Sequence, residues 1–313
     1  MSQYLSAFAP ASIGNVAVGF DMLGLALADV GDRVLARRAA SSDVTVVEVR
    51  GIDGELHPYL STDAKQNTAS IAAEALLAAQ QPGFGVDLKV HKGVPLQSGM
   101  GSSAASAVAA VVAVNALLDA PLPLENLLPY ALEGEKYASG GLHADNVAPS
   151  LLGGLVLCPE VLLPEVVRLP VPSGVSAVLL HPELQVNTAH ARRQLATSYS
   201  MALWLEQQGL LAGFIAACAA DDIALIGKTL RDVIIEPQRA AAVPCFTAVR
   251  DAALSAGALG CSLSGSGPSL FALAPDNGAR AIASAMEEAC RGAGIDCQSW
   301  VSPMTAPGAH VER

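Results

Sequence analysis

The chain has 313 residues, too many for one ordinary core, so one large or two medium domains is the expectation. Hydrophobic residues make up 52%, charged residues 15% and aromatics 4%, which supplies ample core material and favours helices packed on sheet over an all-β design. Lys and Arg number 18 against 29 Asp and Glu, and the net charge of −11 argues against non-specific nucleic-acid binding while permitting a local basic pocket for a small anion.

Residues 9–27, APASIGNVAVGFDMLGLAL, are apolar and punctuated by glycine, with Asn15 and Asp21 inside. These two read either as turn residues or as partners for a substrate hydroxyl or ammonium. Residues 44–49 and 86–90 alternate and are rich in β-branched side chains, which predicts strands. Residues 67–80 have helical spacing, with Asn67 or Thr68 as the cap. The apolar run 104–118 is shorter than the roughly 20 residues of a membrane span and reads as a buried helix, so no membrane is expected. A helix is predicted over 122–139, ended by Gly140 and Gly141, and a short strand over 153–158. Pro159, Pro164, Pro170 and Pro172 mark the expected domain junction. Beyond it, a strand is predicted over 175–181, helices over 188–208, 210–218, 223–230, 247–256 and 279–292, and strands over 260–264 and 269–274. Blocks of both element types without strict alternation indicate an α+β protein. Six cysteines without a CxxC pair read as reduced core thiols of a cytoplasmic protein, and the first residues lack a signal-type pattern.

The segment 95–105, PLQSGMGSSAA, sits between a predicted strand and a predicted helix. Glycine admits close backbone approach and positive φ, and the first amides of a helix lack internal partners where the dipole favours negative charge. Such a loop suits phosphate. It lacks the lysine of a Walker loop and the third glycine of a dinucleotide fingerprint. By itself it reads as a phosphate cradle or as a tight strand-to-helix turn.

Four further segments bear on that choice. Residues 139–155, SGGLHADNVAPSLLGGL, place His143, Asp145 and Asn146 among apolar neighbours, where polar groups need partners or a ligand. Glu133 and Glu135 precede them, and such acids suit a hard cation such as Mg²⁺ shared with phosphate oxygens. Residues 262–271, SLSGSGPSLF, form a second glycine-rich turn, a hairpin or a second ligand loop. Residues 185–195 and 232–239 bring Arg192, Arg193 and Arg239 near helix starts, as solvated charge or as two-pronged carboxylate ligands.

Together these segments resemble the GHMP kinase family, whose proline-led N-terminal motif, PxxxGLGSSAA loop and C-terminal glycine turn appear here in order. NVAVGFDMLGLAL, LEGEKYASGGLHADNVAPSLLGG and IIEPQR narrow the resemblance to the branch acting on L-homoserine. Met100 stands where the family usually has leucine, Ile13 and Gly14 replace a small polar pair, and Val18 replaces a common proline. The resemblance implies a two-domain α+β fold, residues 1–160 and 161–313, with the ATP site between the domains. It implies ATP-dependent phosphorylation of the hydroxyl of L-homoserine to O-phospho-L-homoserine on the route to threonine. The alternatives are another small-molecule kinase of the family or a non-catalytic ligand sensor of the same fold.

Carried onto this chain, the resemblance assigns ATP to Pro95, Leu96, Gln97, Ser98, Gly99, Met100, Gly101, Ser102, Ser103 and Ala104, with Asn67 toward the adenine and Gly265 and Gly267 closing the site. Ser103 and Glu135 would hold Mg²⁺. Asp21 would take the substrate ammonium, and Arg192 and Arg239 its carboxylate, with His143 nearby. Asn15, Asn146 and Thr188 would position the hydroxyl. Asn146 cannot act as a base, and Asp145 would point away from it if the segment were extended. The expected chemistry is therefore positioning, with the proton leaving late. A homodimer is left open.

Overall fold

An antiparallel pair, β1 (Leu5–Gly14) and β2 (Leu23–Ala39), founds the first sheet in a computed structural model that describes residues 3–141 and 143–312. The chain continues through β3 (Val44–Arg50), α1 (Thr68–Gln80), β4 (Gly85–His91), α2 (Ser102–Asn115), α3 (Leu128–Ser139), α4 (Ala144–Leu152), β5 (Leu155–Leu157) and β6 (Val167–Arg168). Then come β7 (Val175–Pro182), α5 (Thr188–Arg193), α6 (Met201–Ala220), α7 (Ile223–Thr229), α8 (Glu236–Arg239), α9 (Phe246–Ser255), β8 (Gly260–Leu263), β9 (Leu270–Pro275), α10 (Ala279–Gly292), β10 (Cys297–Pro303) and β11 (His310–Val311). One sheet runs β11-β1-β2-β4-β3, with β5 and β6 added beside the start of β2. The other runs β10-β7-β9-β8 and is antiparallel throughout. The α+β class read from the sequence holds.

α2 is apolar on all sides, and every residue in it except Ser103 is buried. Such a helix belongs inside a core. Its alanines let α1, α3 and the first sheet close around it, and Gly134 on α3 lies so near α1 that a Cβ there would come 2.5 Å from the Thr68 carbonyl oxygen. A second core joins the two halves: Ile13, Leu25 and Met100 pack with Phe214 of α6 and Phe271 of β9. A third lies between the far face of the second sheet and α9 and α10.

Several expectations need correction. The 9–27 segment is not one punctuated stretch but the end of β1, a turn and the start of β2; its glycines hid the strands. The 188–208 helix ends at Arg193, and a fresh start at Ser200, whose hydroxyl accepts from Leu203 N–H, begins α6. Gly209 then lies inside one continuous helix, where a Cβ would meet nothing within 4 Å. By length and composition α6 could cross a membrane, a point the sequence reading missed by dividing it. The division at residue 160 falls inside the β5–β6 pairing, and β11 returns to β1, so the second sheet begins after Arg168 and the last strand belongs to the first.

Gln207 docks α6. Its amide donates to Val18 O (3.0 Å) in a buried bond, and its carbonyl accepts from Val233 N–H (2.9 Å) in a partly buried one. Gln207→Ala leaves both backbone groups unpaired, and we expect a loss of about 1–3 kcal/mol in urea denaturation. Unchanged stability would show that α6 is held by its apolar contacts alone.

Candidate active site

β4 delivers the chain into the 95–101 loop, and α2 leaves it. Gly101 caps α2 at φ 69° with no side-chain cap, so the first amides of the helix are not satisfied by a capping side chain. Beneath the loop, Lys92 forms an ion pair with Asp32 and donates to Ser102 O (2.8 Å) and Ser106 Oγ (2.7 Å). Asp32 also accepts from Gly93 N–H (2.8 Å) and Val94 N–H (3.0 Å). The 264–269 turn between β8 and β9 closes on the loop from the other sheet. Ser264 Oγ donates to Gly99 O (2.7 Å), and Ser269 N–H donates to Ser98 O (3.1 Å). A cavity of about 410 Å³ lies along this contact, reached by Leu96, Gln97, Ser98, Gly99, Gly101, Ser102, Ser103 and Gly265.

Next to the α2 N-terminus, Ser103 Oγ donates to Glu135 Oε2 (2.7 Å). Glu135 is buried on α3 and lines the cavity, whereas Glu133 is exposed. Among the described residues no trio of His, Cys, Asp or Glu forms a metal site by itself. A hydroxyl and one carboxylate beside a phosphate loop nevertheless fit Mg²⁺, which binds through few carboxylates and completes its shell with phosphate oxygens and water.

A second charged group faces the same cavity. Arg192 grips Asp21 with two parallel bonds, Nη1 to Oδ2 (2.8 Å) and Nη2 to Oδ1 (2.7 Å). His143 Nδ1 lies 3.8 Å from Asp21 Oδ2, and burial pushes the imidazole below its usual range. Arg239 is 5% exposed; its Nη1 donates to Gly265 O (3.0 Å), while its buried Nε has no partner. Burial first, then the charge of Arg192, lowers its pKa. Both guanidiniums lie 5.2 Å from the Phe20 ring centre. Asp232 sets the start of α8, and thereby Arg239, by accepting from Ile234, Ile235 and Glu236 N–H. Asp21 sits in a turn of unusual backbone: Asn15, Val16, Ala17 and Asp21 all have positive φ.

The structure corrects several site expectations. Residues 144–152 are helical, so Asp145 does not turn away: it and Asn146 both line the cavity. The expectation took the segment as extended, whereas it is helical with Pro149 inside it. Asn15 spends its side chain on the loops, its amide donating to Gly265 O (3.0 Å) and its carbonyl accepting from Asp21 N–H (3.1 Å). Asn67 caps α1 through Ala69 N–H (3.0 Å) and donates to Ser61 O (3.0 Å), although it also reaches the cavity. Thr188 bonds Ser266 Oγ (3.0 Å), and Asn146 Oδ1 accepts from Ser12 Oγ (2.9 Å). Pro95, Met100, Ala104 and Gly267 are not on the cavity wall; Met100 and Ala104 point into cores. A Cβ on Gly101 would fall 2.4 Å from Ser12 Oγ, so a valine there would disturb the fold as well as any ligand. Leu142 lies outside the described residues. Lys92, Ser106, Leu60 and Tyr137 line the cavity unforeseen; the one usable signal was a lone lysine directly after an alternating strand.

Comparisons with known proteins agree with this geometry. Residues 67–154 match the model for the N-terminal domain of GHMP kinases, and residues 214–292 match that for the C-terminal one. A homoserine kinase of Xylella fastidiosa (strain M12) is 45% identical over 306 residues, 97% of this chain and 93% of the relative. One from Chlorobium phaeobacteroides (strain BS1) is 40% identical, covering 98% of this chain and 99% of the relative. The crystal structure of homoserine kinase from Cytophaga hutchinsonii superposes with a TM-score of 0.94 at 41% identity, over 100% of this chain and 98% of that one.

Asp145 is fully buried and accepts from Asn15 N–H (3.2 Å). Burial, then the charges of Asp21 and Glu135, push its carboxyl up to about 7. Between the unfolded value near 4 and about 7, the folded carboxyl keeps a proton that the unfolded chain has shed, so its contribution to stability falls as pH rises. Asp145→Asn should gain on the parent across that window, by an amount on the order of 4 kcal/mol, and stay level below it. Denaturation of the two ligand-free proteins at several pH values checks this; a constant difference would mean that the carboxyl titrates normally.

Proposed function

We infer that this chain, which belongs to the GHMP kinase family, uses ATP to phosphorylate the hydroxyl of L-homoserine, giving O-phospho-L-homoserine on the route to threonine. One observation carries the reading: a single cavity joins a phosphate-type helix N-terminus to a cluster of one carboxylate and two arginines. An amino acid with a free alcohol needs an anion for its amine, a cation for its carboxylate and a neutral group for its hydroxyl. A sugar needs no paired arginines, and mevalonate has no amine for Asp21.

The α2 amides and the loop around Ser98–Met100 hold the nucleotide phosphates. Ser103 and Glu135 offer two hard oxygens for Mg²⁺, which when bound offsets charge on the transferring phosphoryl group. Asp21 takes the ammonium. Arg239, whose Nε lacks a partner, takes the carboxylate together with Arg192. Asn146 and Thr188 lie on the wall where the hydroxyl is oriented, and Asn15 fixes the loops around them. Asp145 stands beside them but accepts from Asn15 N–H, and we assign it to support of that turn. Phosphoryl transfer through a loose transition state allows the proton to leave late, to phosphate or solvent. A sensor of the same fold has no use for the Ser103–Glu135 pair. Six unpaired thiols suit a reducing compartment, and we place the protein in the cytoplasm.

ADP release should require homoserine and should not occur with mevalonate or galactose; release with either of those instead would reject the assignment. Glu135→Gln should lower turnover sharply and raise the Mg²⁺ concentration needed. Wild-type dependence on the metal would leave Glu135 a structural acid. Asp145→Asn should keep turnover above the ~10²–10⁴-fold loss that removal of a general base produces. A loss in that range with homoserine binding intact would make Asp145 the base.

A further inference from the structure

Asp21 and Arg192 bind each other through both oxygens and both terminal nitrogens, on the wall of the cavity. If homoserine is the substrate, as inferred above, its ammonium and carboxylate compete for the two groups already paired. Asp21 is the fixed member. Its turn has positive φ and its N–H is held by Asn15 Oδ1 (3.1 Å). Arg192 is the member with room to swing away, a long side chain on the six-residue α5 with a third of its surface exposed. Arg239 stands beside it on the same Phe20 ring, with an unpartnered Nε.

We propose that the Asp21–Arg192 pair stands in for the substrate's own zwitterion, and that exchanging one for the other selects ligands carrying both charges. A zwitterion that splits the pair gives each member a new partner. A ligand with only a carboxylate leaves Asp21 alone beside His143, whose half-buried ring favours the neutral form, and near the Asp145 side of the cavity. A ligand with only an ammonium leaves Arg192 alone next to Arg239, charge against like charge. Each half-ligand must break two charge-assisted bonds and restore only one side. Discrimination against it therefore exceeds the loss of its missing contact.

The exchange predicts gains on mutation, which separate recognition contacts do not. In Asp21→Asn the arginine is released, and asparagine tolerates the positive φ. γ-Hydroxybutyrate, which is homoserine without its amine, should bind this variant about tenfold more tightly than it binds wild type, while homoserine binds more weakly. In the mirror variant Arg192→Met, propanolamine, which is homoserine without its carboxylate, should bind about tenfold more tightly than to wild type. Calorimetric titration reads both, with ATP affinity as the check on folding, and either folded variant decides if the other does not fold. Equal or weaker binding of the half-ligand to its variant overturns the exchange and leaves the kinase assignment standing. Failure of wild type to bind or phosphorylate homoserine overturns the assignment itself.

Discussion

The contact between two glycine-rich loops from opposite sheets is the constraint on which the site depends. Ser264 Oγ and Ser269 N–H bond the backbone of Gly99 and Ser98, and Gly265 N–H donates to Gly14 O (3.1 Å). A Cβ on Gly99 would lie 2.4 Å from Ser264 O and 2.7 Å from Gly267 O. Only bare backbone permits this approach. Three segments far apart in the chain thus meet through main-chain atoms, and the core of Ile13, Met100, Phe214 and Phe271 beneath them keeps the halves in register. Each loop brings a different chemistry to one cavity: amides from the first, Asn15 and Asp21 from the β1–β2 turn, and a carbonyl for Arg239 from the third.

Charge is sorted against the bulk of the molecule. The chain carries a net −11, yet two arginines and the free amides of a helix start face one cavity. Lys92 does not reach out to join them. Its three ammonium hydrogens serve Asp32, Ser102 O and Ser106, and so it fixes the first turn of α2 from below. Asp32 in turn holds Gly93 and Val94, the residues that enter the loop. A buried ion pair is costly unless its remaining valences are filled, and here they are. The result is a stiff floor under a loop that must keep its amides aimed.

Local pattern made much of this legible. The Asn67 cap, the Gly140 stop and the α10 bounds followed from residue chemistry, and the loop motif located α2. Ser103 and Glu135, 32 positions apart, were paired by resemblance, and the fold brings them within hydrogen-bond distance. What failed, failed for physical reasons. β1 and β2 carry glycine and proline inside strands, allowed by a register shift near Pro10. β10 and β11 were unread: β10 lacks a clean buried–exposed alternation, and β11 is two exposed residues. The Lys92–Asp32 pair links two neighbouring strands, and no spacing rule connects residues that meet only through β2–β4 pairing. The Asp21–Arg192 bond is likewise a product of tertiary structure; the sequence reading gave each residue a substrate partner and not each other.

The helical form of residues 144–152 changes the electrostatics of the whole site. In an extended segment, neighbours diverge by a half turn; in a helix they differ by about 100°, so Asp145 and Asn146 can share a wall. Gly24 makes the docking possible, since a Cβ there would lie 1.9 Å from Asp145 O. The consequence is three acids, Asp21, Glu135 and Asp145, around one cavity. Burial first, and the charges of the other two second, drive the carboxyl of Asp145 up to about 7. Asp21 is itself balanced by Arg192. A zwitterion exchanged into the Asp21–Arg192 pair would leave that balance as it is, whereas a cation beside Glu135 would remove one of the charges that Asp145 faces. Cation binding at Glu135 and the protonation of Asp145 would therefore be linked: a ligand that neutralised Glu135 would draw the Asp145 carboxyl down, and a deprotonated Asp145 would tighten that binding in return.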